Sequence, residues 1–176
     1  GVPMREGLLF VHNTLVGLNL RDKIKLGASG KIVSAFDIAS VLAIGADWAN
    51  SARGFMFAIG CIQSQSCHTN KCPTGVATQD TLRQRALVVP DKAQRVYNFH
   101  RNTLKGLAEM LAAAGLEHPS QLSAKHLVRR MSATEIKLFS QLHVFLKPGE
   151  LLTGEVNGEF YSRMWQMARA DSFEPQ

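Results

Sequence analysis

The feature that most constrains this chain is a short loop that holds all of its cysteines. Cys61, Cys67 and Cys72 are the three cysteines of a 176-residue sequence, with five residues between the first two and four between the next two. An odd number of cysteines packed so closely is a poor disulfide framework. It is typical of reduced thiols in a cytoplasmic protein, where such groups more often bind metal. The loop therefore predicts a metal site and a cytoplasmic location.

Spacing alone leaves three interpretations of this loop open. The cysteines could be ordinary buried residues, since free cysteine behaves as a small hydrophobe. A zinc site formed with His68 has enough ligands, although zinc motifs usually place paired cysteines about two residues apart. An iron–sulfur site is the third interpretation, because soft thiolate ligands bind iron well. Pro73 and Gly75 allow the sharp turn that closes a loop around such a centre.

Composition narrows the class of protein. Apolar residues make up 45% of the chain and charged residues only 19%, which predicts a globular core rather than disorder. The longest apolar runs, such as residues 41–46, are far shorter than the ~20 residues of a membrane-spanning helix. The net charge of +6 is scattered and aromatics are 7%, which argues against a nucleic-acid binder. A basic surface could instead receive an acidic electron-transfer partner. Residue 1 is glycine, so the sequence leaves open a membrane anchor before it.

The pattern of the first 60 residues predicts a helix followed by two strand–turn–helix units. Apolar residues at helical spacing predict a helix over 5–18, with its buried stripe at the following positions: Leu8, Val11, Leu15 and Leu18. Residues 23–26 predict a strand that ends in a turn at 27–30. Ser34, with Asp37 three residues on, predicts the start of a second helix that stops at Gly45.

The second strand–turn–helix unit leads into the cysteine loop. Residues 48–51 predict a strand and residues 52–54 a turn, and residues 55–59 then predict a short helix. Two parallel strands cannot form a closed sheet by themselves. The chain is therefore either mostly helical or contains the last strands of a barrel, and the second alternative explains more of the pattern.

Residues after the cysteine loop predict a mainly helical region. Asp91 is expected to cap a long helix that ends at Gly115, and short helical pieces follow between residues 120 and 131. The sequence 132–135, Ser-Ala-Thr-Glu, has the pattern of a capping box and predicts a helix that continues to residue 142. In the tail, Trp165 and Phe173 are the expected aromatic anchors.

Both small-residue turns are candidate phosphate sites. Barrel enzymes of the (β/α)8 type often bind phosphate with their last two βα loops and a helix N-terminus, where free N–H groups and the helix dipole attract anions. The first turn is residues 27–30 and the second is residues 51–54. Arg53 adds a positive charge suited to phosphate. Each turn is weak evidence by itself, and the pair is stronger.

The string from Cys61 to Gln79, with Cys67-His68, Cys72-Pro73 and Gly75-Val76-Ala77-Thr78-Gln79, resembles the cluster loop of the FMN-binding glutamate synthase family. This resemblance implies that the three cysteines ligate a 3Fe-4S cluster beside the flavin. His68 matches the family string but is not a ligand there. The chain as a whole is similar to the C-terminal part of the stand-alone, glutamate synthase-like type.

The resemblance also implies where FMN binds. Its phosphate would lie near Gly30, Ala52 and Arg53, and the full set of implied cofactor-binding residues is Gly27, Ser29, Gly30, Ala52, Arg53 and Gly54. Lys31 stands where many FMN-dependent barrel enzymes have a second glycine.

The implied fold is α/β: the last two strands of a (β/α)8 barrel, the iron–sulfur loop and a mainly helical C-terminal region. Residues 1–80 would end the FMN-binding barrel and residues 81–176 would pack on it, with the rest of the barrel upstream of Gly1. A full barrel takes ~250 residues.

The implied function is a fragment of an oxidoreductase that reduces the imine of 2-oxoglutarate and ammonia, which can be glutamine-derived, to glutamate. Electrons would come from a reductase subunit or ferredoxin. The resemblance names no catalytic acid or base in this chain, and the isolated fragment is expected to be inactive. The alternatives are a zinc-stabilised binding module without redox activity and a flavoenzyme of the same fold that acts on another amino or imino substrate.

Overall fold

The structure, a computed structural model, describes residues 1–154, 156 and 158–174. Its strands are short, with β1 at Gly27–Ser29, β2 at Trp48–Asn50, β3 at Val128–Arg130 and β4 at Ile136–Leu138. Its helices are α1 Met4–Gly17, α2 Ala35–Ala43, α3 Ala52–Ala58, α4 Thr81–Gln84, α5 Val89–Ala113, α6 Phe139–Leu142, α7 Glu150–Thr153 and α8 Glu159–Met167. Among the described helices, none is long and apolar enough to cross a membrane.

The described residues form two small sheets. β1 pairs with β2, and β3 pairs with β4. The mixture of helices with these sheets is compatible with the predicted α/β class, and the assignment of β1 and β2 to a barrel stays a prediction. The chain divides into two compact units. The first is residues 1–28, 41–48 and 122–176, and the second is residues 29–40 and 49–121.

The core of the first unit surrounds α1. Its buried face is Leu8, Leu9, Asn13 and Gly17. Leu8 is buried as predicted and Leu18 is partly buried against the core, whereas Val11, also predicted to be buried, is 42% exposed. The predicted stripe was therefore correct only in part. The polar Asn13 can replace an apolar residue because its amide donates to the Val144 carbonyl and accepts from the Leu146 N–H, at 2.8 and 3.1 Å.

Glycine and tyrosine complete this core. A Cβ on Gly17 would lie 2.5 Å from the Leu151 side chain, so only glycine allows α7 to pack this closely on α1. Tyr161 of α8 is buried with Leu146 and Leu151. The predicted tail anchors were wrong: Phe173 is fully exposed and Trp165 is 37% exposed. The predicted tail continues to residue 176, and its last two positions lie outside the described residues.

The second unit is organised by α5. The helix begins at Val89, with Pro90 in its first turn, so Asp91 lies inside it and does not cap it as predicted. Its end is as predicted, because Gly115 has a φ of +70°. The Leu116 N–H bonds the Leu111 carbonyl and the Gly115 N–H bonds the Ala112 carbonyl. This is the Schellman arrangement, which satisfies the last carbonyls of a helix.

The start of α2 confirms another predicted signal. Ser34 and Asp37 form a reciprocal cap, in which the Asp37 N–H donates to Ser34 Oγ and the Ser34 N–H donates to Asp37 Oδ2, at 3.2 and 2.9 Å. At its other end, Gly45 has a φ of +117°, as expected for the residue that stops a helix.

Residues 128–138 form a β-hairpin where helical structure was predicted. β3 and β4 are antiparallel, with Val128 opposite Leu138 and Arg130 opposite Ile136. The presumed capping box is the hairpin loop, where the Met131 N–H donates to the Glu135 carbonyl and Ser132 Oγ accepts from the Thr134 N–H. β-Branched residues favour strands, and pairing between two such segments outweighs a four-residue capping pattern.

Candidate functional site

Helix α3 positions the first cysteine. The helix ends at Ala58, and Gly60 has a φ of +108°. The Cys61 N–H then bonds the Met56 carbonyl at 2.9 Å, and the Gly60 N–H bonds the Phe57 carbonyl at 3.0 Å. These two bonds form a second Schellman motif, which fixes the direction in which the chain leaves the helix. Cys61 is therefore attached to the end of a folded element and is half-buried.

The middle of the loop contains an unusual run of left-handed backbone. Gln63, Gln65 and Asn70 have φ values of +57°, +57° and +62°. Residues other than glycine rarely adopt this conformation, and such residues cluster at functional sites. Between them, Cys67 begins a short 3-10 helix and is exposed. The backbone is held in this shape by side-chain bonds, one of which runs from Thr69 Oγ1 to the Ser66 carbonyl at 2.7 Å.

Asn70 ties the loop to the segment that follows it. Its side-chain oxygen accepts from the Gln79 N–H at 2.6 Å and from Thr78 Oγ1 at 2.9 Å. Thr78 Oγ1 also lies 2.6 Å from the Asn70 carbonyl oxygen.

Sequence reasoning missed Asn70. The signal in the sequence was an asparagine between the last two cysteines, Cys67 and Cys72. Asparagine tolerates the left-handed region and bonds to nearby backbone, so it is a residue expected to shape such a loop.

Cys72 lies in a cradle of hydrogen-bond donors. It is 6% exposed, and its sulfur lies 3.5 Å from Thr74 Oγ1. The Thr74 hydroxyl and the backbone N–H groups of Ala77, Thr74 and Val76 stabilise the thiolate and lower the pKa of Cys72 to about 7, against the opposing effect of burial. N–H groups directed at a ligating sulfur are typical of iron–sulfur loops and tune the bound metal.

Gly75 makes this cradle possible. It has a φ of +75°, and a Cβ there would lie 2.2 Å from the Arg83 carbonyl oxygen. The Gly75 N–H bonds the Cys72 carbonyl at 3.3 Å, which closes the turn below the sulfur. α4, which follows, is capped by Asp80, whose carboxylate accepts from the Leu82 and Arg83 N–H groups.

The three thiols have different environments: Cys61 is half-buried, Cys67 exposed and Cys72 buried. In the described part of the chain, no three His, Cys, Asp or Glu side chains converge closely enough to hold a metal ion. The structure thus places all three cysteines in one loop without drawing their sulfurs into a single group. His68 is exposed beside Cys67.

The first predicted turn is shifted. Gly27 and Ser29 belong to β1, so the strand occupies residues expected to form the turn, and the turn begins at Gly30. Gly27 must be glycine because a Cβ there would lie 2.5 Å from the Trp48 ring. Gly30 has a φ of +143° and Lys31 a φ of +55°. Ser29, Gly30 and Lys31 are exposed.

The second predicted turn is the first turn of α3. Ala52, Arg53 and Gly54 are helical, so the helix begins three residues earlier than expected. Their N–H groups precede the first intrahelical bond, which runs from the Phe55 N–H to the Ser51 carbonyl at 3.3 Å. Arg53 is exposed and forms no ion pair with any described residue.

Close packing fixes this helix start. Ser51 Oγ donates to the Ile32 carbonyl at 2.8 Å, which links the two turns. Gly54 is buried, and a Cβ there would lie 2.6 Å from Ser51 Oγ and 2.7 Å from Phe99 Cζ. Phe99 of α5 packs edge-on against Phe55, with ring centroids 5.1 Å apart.

α3 connects the two candidate sites. Arg53 lies in the first turn of α3, and Ala58, its last residue, lies ~7–8 Å further along the axis at a rise of 1.5 Å per residue. Cys61 follows three residues after Ala58. All of the predicted site residues except Gly27 lie in the second compact unit. The unit therefore connects the second candidate phosphate turn to the cysteine loop through one short helix.

Comparison of the chain with models of protein families shows to which proteins it is related. Residues 1–117, about two thirds of the chain and all of the predicted site, match the model of the conserved region in glutamate synthase. The chain belongs to the glutamate synthase family. This confirms the resemblance that the cysteine loop indicated.

Individual members of the family agree with the match. The chain is 42% identical over 83% of its length to the glutamate synthase large subunit-like protein YerD of Bacillus subtilis. It is 38% identical over 69% of its length to a ferredoxin-dependent glutamate synthase of Cyanidium caldarium. It is 32% identical over 72% of its length to the large chain of an NADPH glutamate synthase of Azospirillum brasilense.

The chain spans only part of these relatives. It covers 28% of the Bacillus subtilis protein, 8% of the Cyanidium caldarium protein and 9% of the Azospirillum brasilense protein. The match therefore assigns this chain to the family, and it does not assign to the chain the activity of a whole glutamate synthase.

Proposed function

We propose that this chain is the electron-transfer and flavin-phosphate segment of a glutamate synthase-like oxidoreductase. The observation that carries the proposal is the cysteine loop, in which Cys72 sits in a cradle of donors while Cys61 is fixed to the end of α3. In this proposal Cys61, Cys67 and Cys72 hold a 3Fe-4S cluster.

The chemistry of the donor set fits such a cluster. Three thiols lie in one loop, and Cys72 has a pKa of about 7, so much of it is already thiolate at neutral pH. Ligation by sulfur requires the thiolate form. Cys67 is exposed, so its side chain is accessible to iron and sulfide.

The same proposal places the FMN phosphate at the N-terminus of α3. Arg53 would supply the charge and the free N–H groups of Ala52 and Gly54 the hydrogen bonds. Ser29 at the end of β1 and Gly30 of the turn that follows would complete the site. Gly27 would act through the packing of β1. Arg53 is exposed and forms no ion pair within the described part of the chain, which supports this assignment.

When bound, FMN supplies hydride transfer and the cluster supplies single-electron transfer. The protein residues provide position: α3 holds the phosphate turn and Cys61 at a fixed spacing, and the Cys72 cradle sets the charge around one sulfur. The proposed reaction is reduction of the imine of 2-oxoglutarate and ammonia to glutamate. No described residue is assigned as the catalytic acid or base.

The proposed electron donor is ferredoxin or a reductase subunit. Relatives named as ferredoxin-dependent and as NADPH glutamate synthases support both alternatives. We also propose that residues 1–80 belong to the flavin-binding barrel and residues 81–176 to a C-terminal extension, and that the protein is cytoplasmic, where its three free thiols stay reduced.

Metal and sulfide analysis tests the proposal against a zinc module. The chain is reconstituted anaerobically with iron and sulfide in the presence of equimolar zinc. We expect about three irons and four sulfides per chain and little zinc. The variant His68→Ala should behave identically, because His68 is not a cluster ligand in the proposal. Stoichiometric zinc without sulfide, lost in His68→Ala, would instead identify the three cysteines and His68 as a zinc site.

A further inference from the structure

A cavity lies in the first compact unit, which does not contain the cysteine loop. Its volume is about 450 Å³, within the range of small-molecule sites. Three segments enclose it: α1, the end of α2 with its following turn, and residues 122–145. Its polar lining residues are His12, Ser123, Lys125 and Ser140, and its larger apolar ones are Leu42, Leu122 and Phe145.

Arg21 fixes the chemistry of the histidine. Arg21 Nε donates to His12 Nδ1 at 3.1 Å. Arginine can only donate, so Nδ1 must accept and the neutral ring carries its proton on Nε2. The guanidinium is itself held by the carbonyls of Ile24 and Gly45 and by the carboxylate of Asp47, each at 2.8 Å.

The turn at Gly45 also packs against the His12 ring. A Cβ on Gly45 would lie 2.3 Å from His12 Cγ, so only glycine lets the turn after α2 approach the imidazole. Burial and then the charge of Arg21 lower the pKa of His12, against smaller opposing effects of Asp47 and the Gly45 carbonyl. His12 is thus a neutral, oriented donor at neutral pH.

The described lining offers donors and positive charge but no carboxylate. Lys125 is exposed at the cavity and forms no ion pair with any described residue. Ser123 Oγ is engaged with His126 Nδ1 at 3.2 Å. Charge-assisted bonds from a lysine and an imidazole N–H suit an anion, while the leucines and Phe145 suit an apolar body.

We infer that this cavity binds a small organic carboxylate, whose charged group is held by His12 and Lys125 and whose aliphatic part packs on Leu42, Leu122 and Phe145. The site is distinct in its residues from the proposed cluster and phosphate sites, so it would be a second ligand site. Its existence does not depend on the proposed function.

Calorimetric and NMR titrations of the full chain test this inference with three probes. 4-Methylpentanoate carries the proposed charge and apolar body, 4-methylpentanamide has the same shape without charge, and inorganic phosphate has charge without an apolar body. We expect saturable binding of the carboxylate with a shift of the His12 Nε2 resonance. The amide and phosphate should each bind at least tenfold more weakly.

Paired lysine variants locate the site. Lys125→Met should weaken carboxylate binding about tenfold, because it removes a charge-assisted bond. Lys137→Met removes the same charge from β4, where Lys137 pairs with Glu135 at 3.0 Å outside the cavity, and should change binding less than twofold. Equal binding of acid and amide, tighter binding of phosphate, no saturable carboxylate binding, or equal effects of the two variants would each overturn the inference.

Discussion

Asn70 shows how a single side chain determines the shape of the cysteine loop. It adopts a left-handed conformation, and its carboxamide oxygen accepts from Thr78 and Gln79, eight and nine residues further on. The cysteines were visible in the sequence, because metal-binding chemistry is carried by residue type and spacing. Asn70 was not, because its role depends on a backbone conformation that appears only when the loop is folded.

Replacing Asn70 with alanine is expected to lower the free energy of unfolding by about 1–3 kcal/mol, since two hydrogen bonds are lost and alanine is strained at positive φ. Urea unfolding followed by circular dichroism measures this. Asn70→Asp keeps the accepting oxygen and should lose clearly less than alanine. Equal stability of the alanine variant and the unmodified chain would show that Asn70 does not hold the loop.

His12 predicts a pH dependence of stability. Its folded pKa is lowered, first by burial and then by Arg21, so the unfolded chain binds the proton more readily than the folded one. Stability from this group is therefore complete above the unfolded pKa of about 6.5 and is lost as the pH falls below it. The free energy of unfolding should decrease between pH 7.5 and 5, and less steeply in His12→Gln.

The comparison of the two pH curves isolates His12 from the other histidines, which both proteins share. Asp47 does not contribute to this difference. Burial raises the pKa of Asp47, but the Leu26 N–H and Arg21 lower it by more, so the pKa lies below its usual value. Its titration therefore affects stability only in more acidic solution. Parallel curves for the two proteins would contradict the assignment.

At the scale of elements, some boundaries differ from those that local sequence patterns predicted, because packing between segments helps to determine them. Ser34 with Asp37 and Gly115 mark helix ends correctly, because caps are local interactions that sequence can specify. The start of α3 came three residues earlier than predicted, and residues 128–138 paired as a hairpin. Both differences come from contacts between segments, which no local pattern records.

Two glycine substitutions test the packing of α3 on α5. Gly54→Ala should destabilise the chain by about 1–3 kcal/mol, because its Cβ would overlap Ser51 Oγ and Phe99. Gly106→Ala is the matched control inside α5, where a Cβ meets Ala35 only at an ordinary 3.4 Å. It should stabilise the chain by about 0.5–1 kcal/mol, since alanine favours helix. Thermal unfolding measures the change in stability of both variants. The described packing requires that Gly54→Ala lowers the stability and Gly106→Ala raises it.

At the scale of the molecule, the sequence was sufficient for the family and insufficient for the arrangement of its parts. The string around the cysteines indicated glutamate synthase, and the match over residues 1–117 confirms it. The two compact units each combine segments distant in the chain, which composition and periodicity do not predict. The unit with the cysteine loop also contains the start of α3, and this supports the proposed proximity of cluster and phosphate sites.

Electron paramagnetic resonance tests the central claim most directly. The chain is reconstituted anaerobically with iron and sulfide and then oxidised, and an oxidised three-iron cluster has an odd number of electrons. We predict a spin-one-half signal that disappears in Cys61→Ser, Cys67→Ser and Cys72→Ser, each compared at equal protein concentration. A silent spectrum, or a signal that survives in all three variants, would contradict the assignment of these cysteines as cluster ligands.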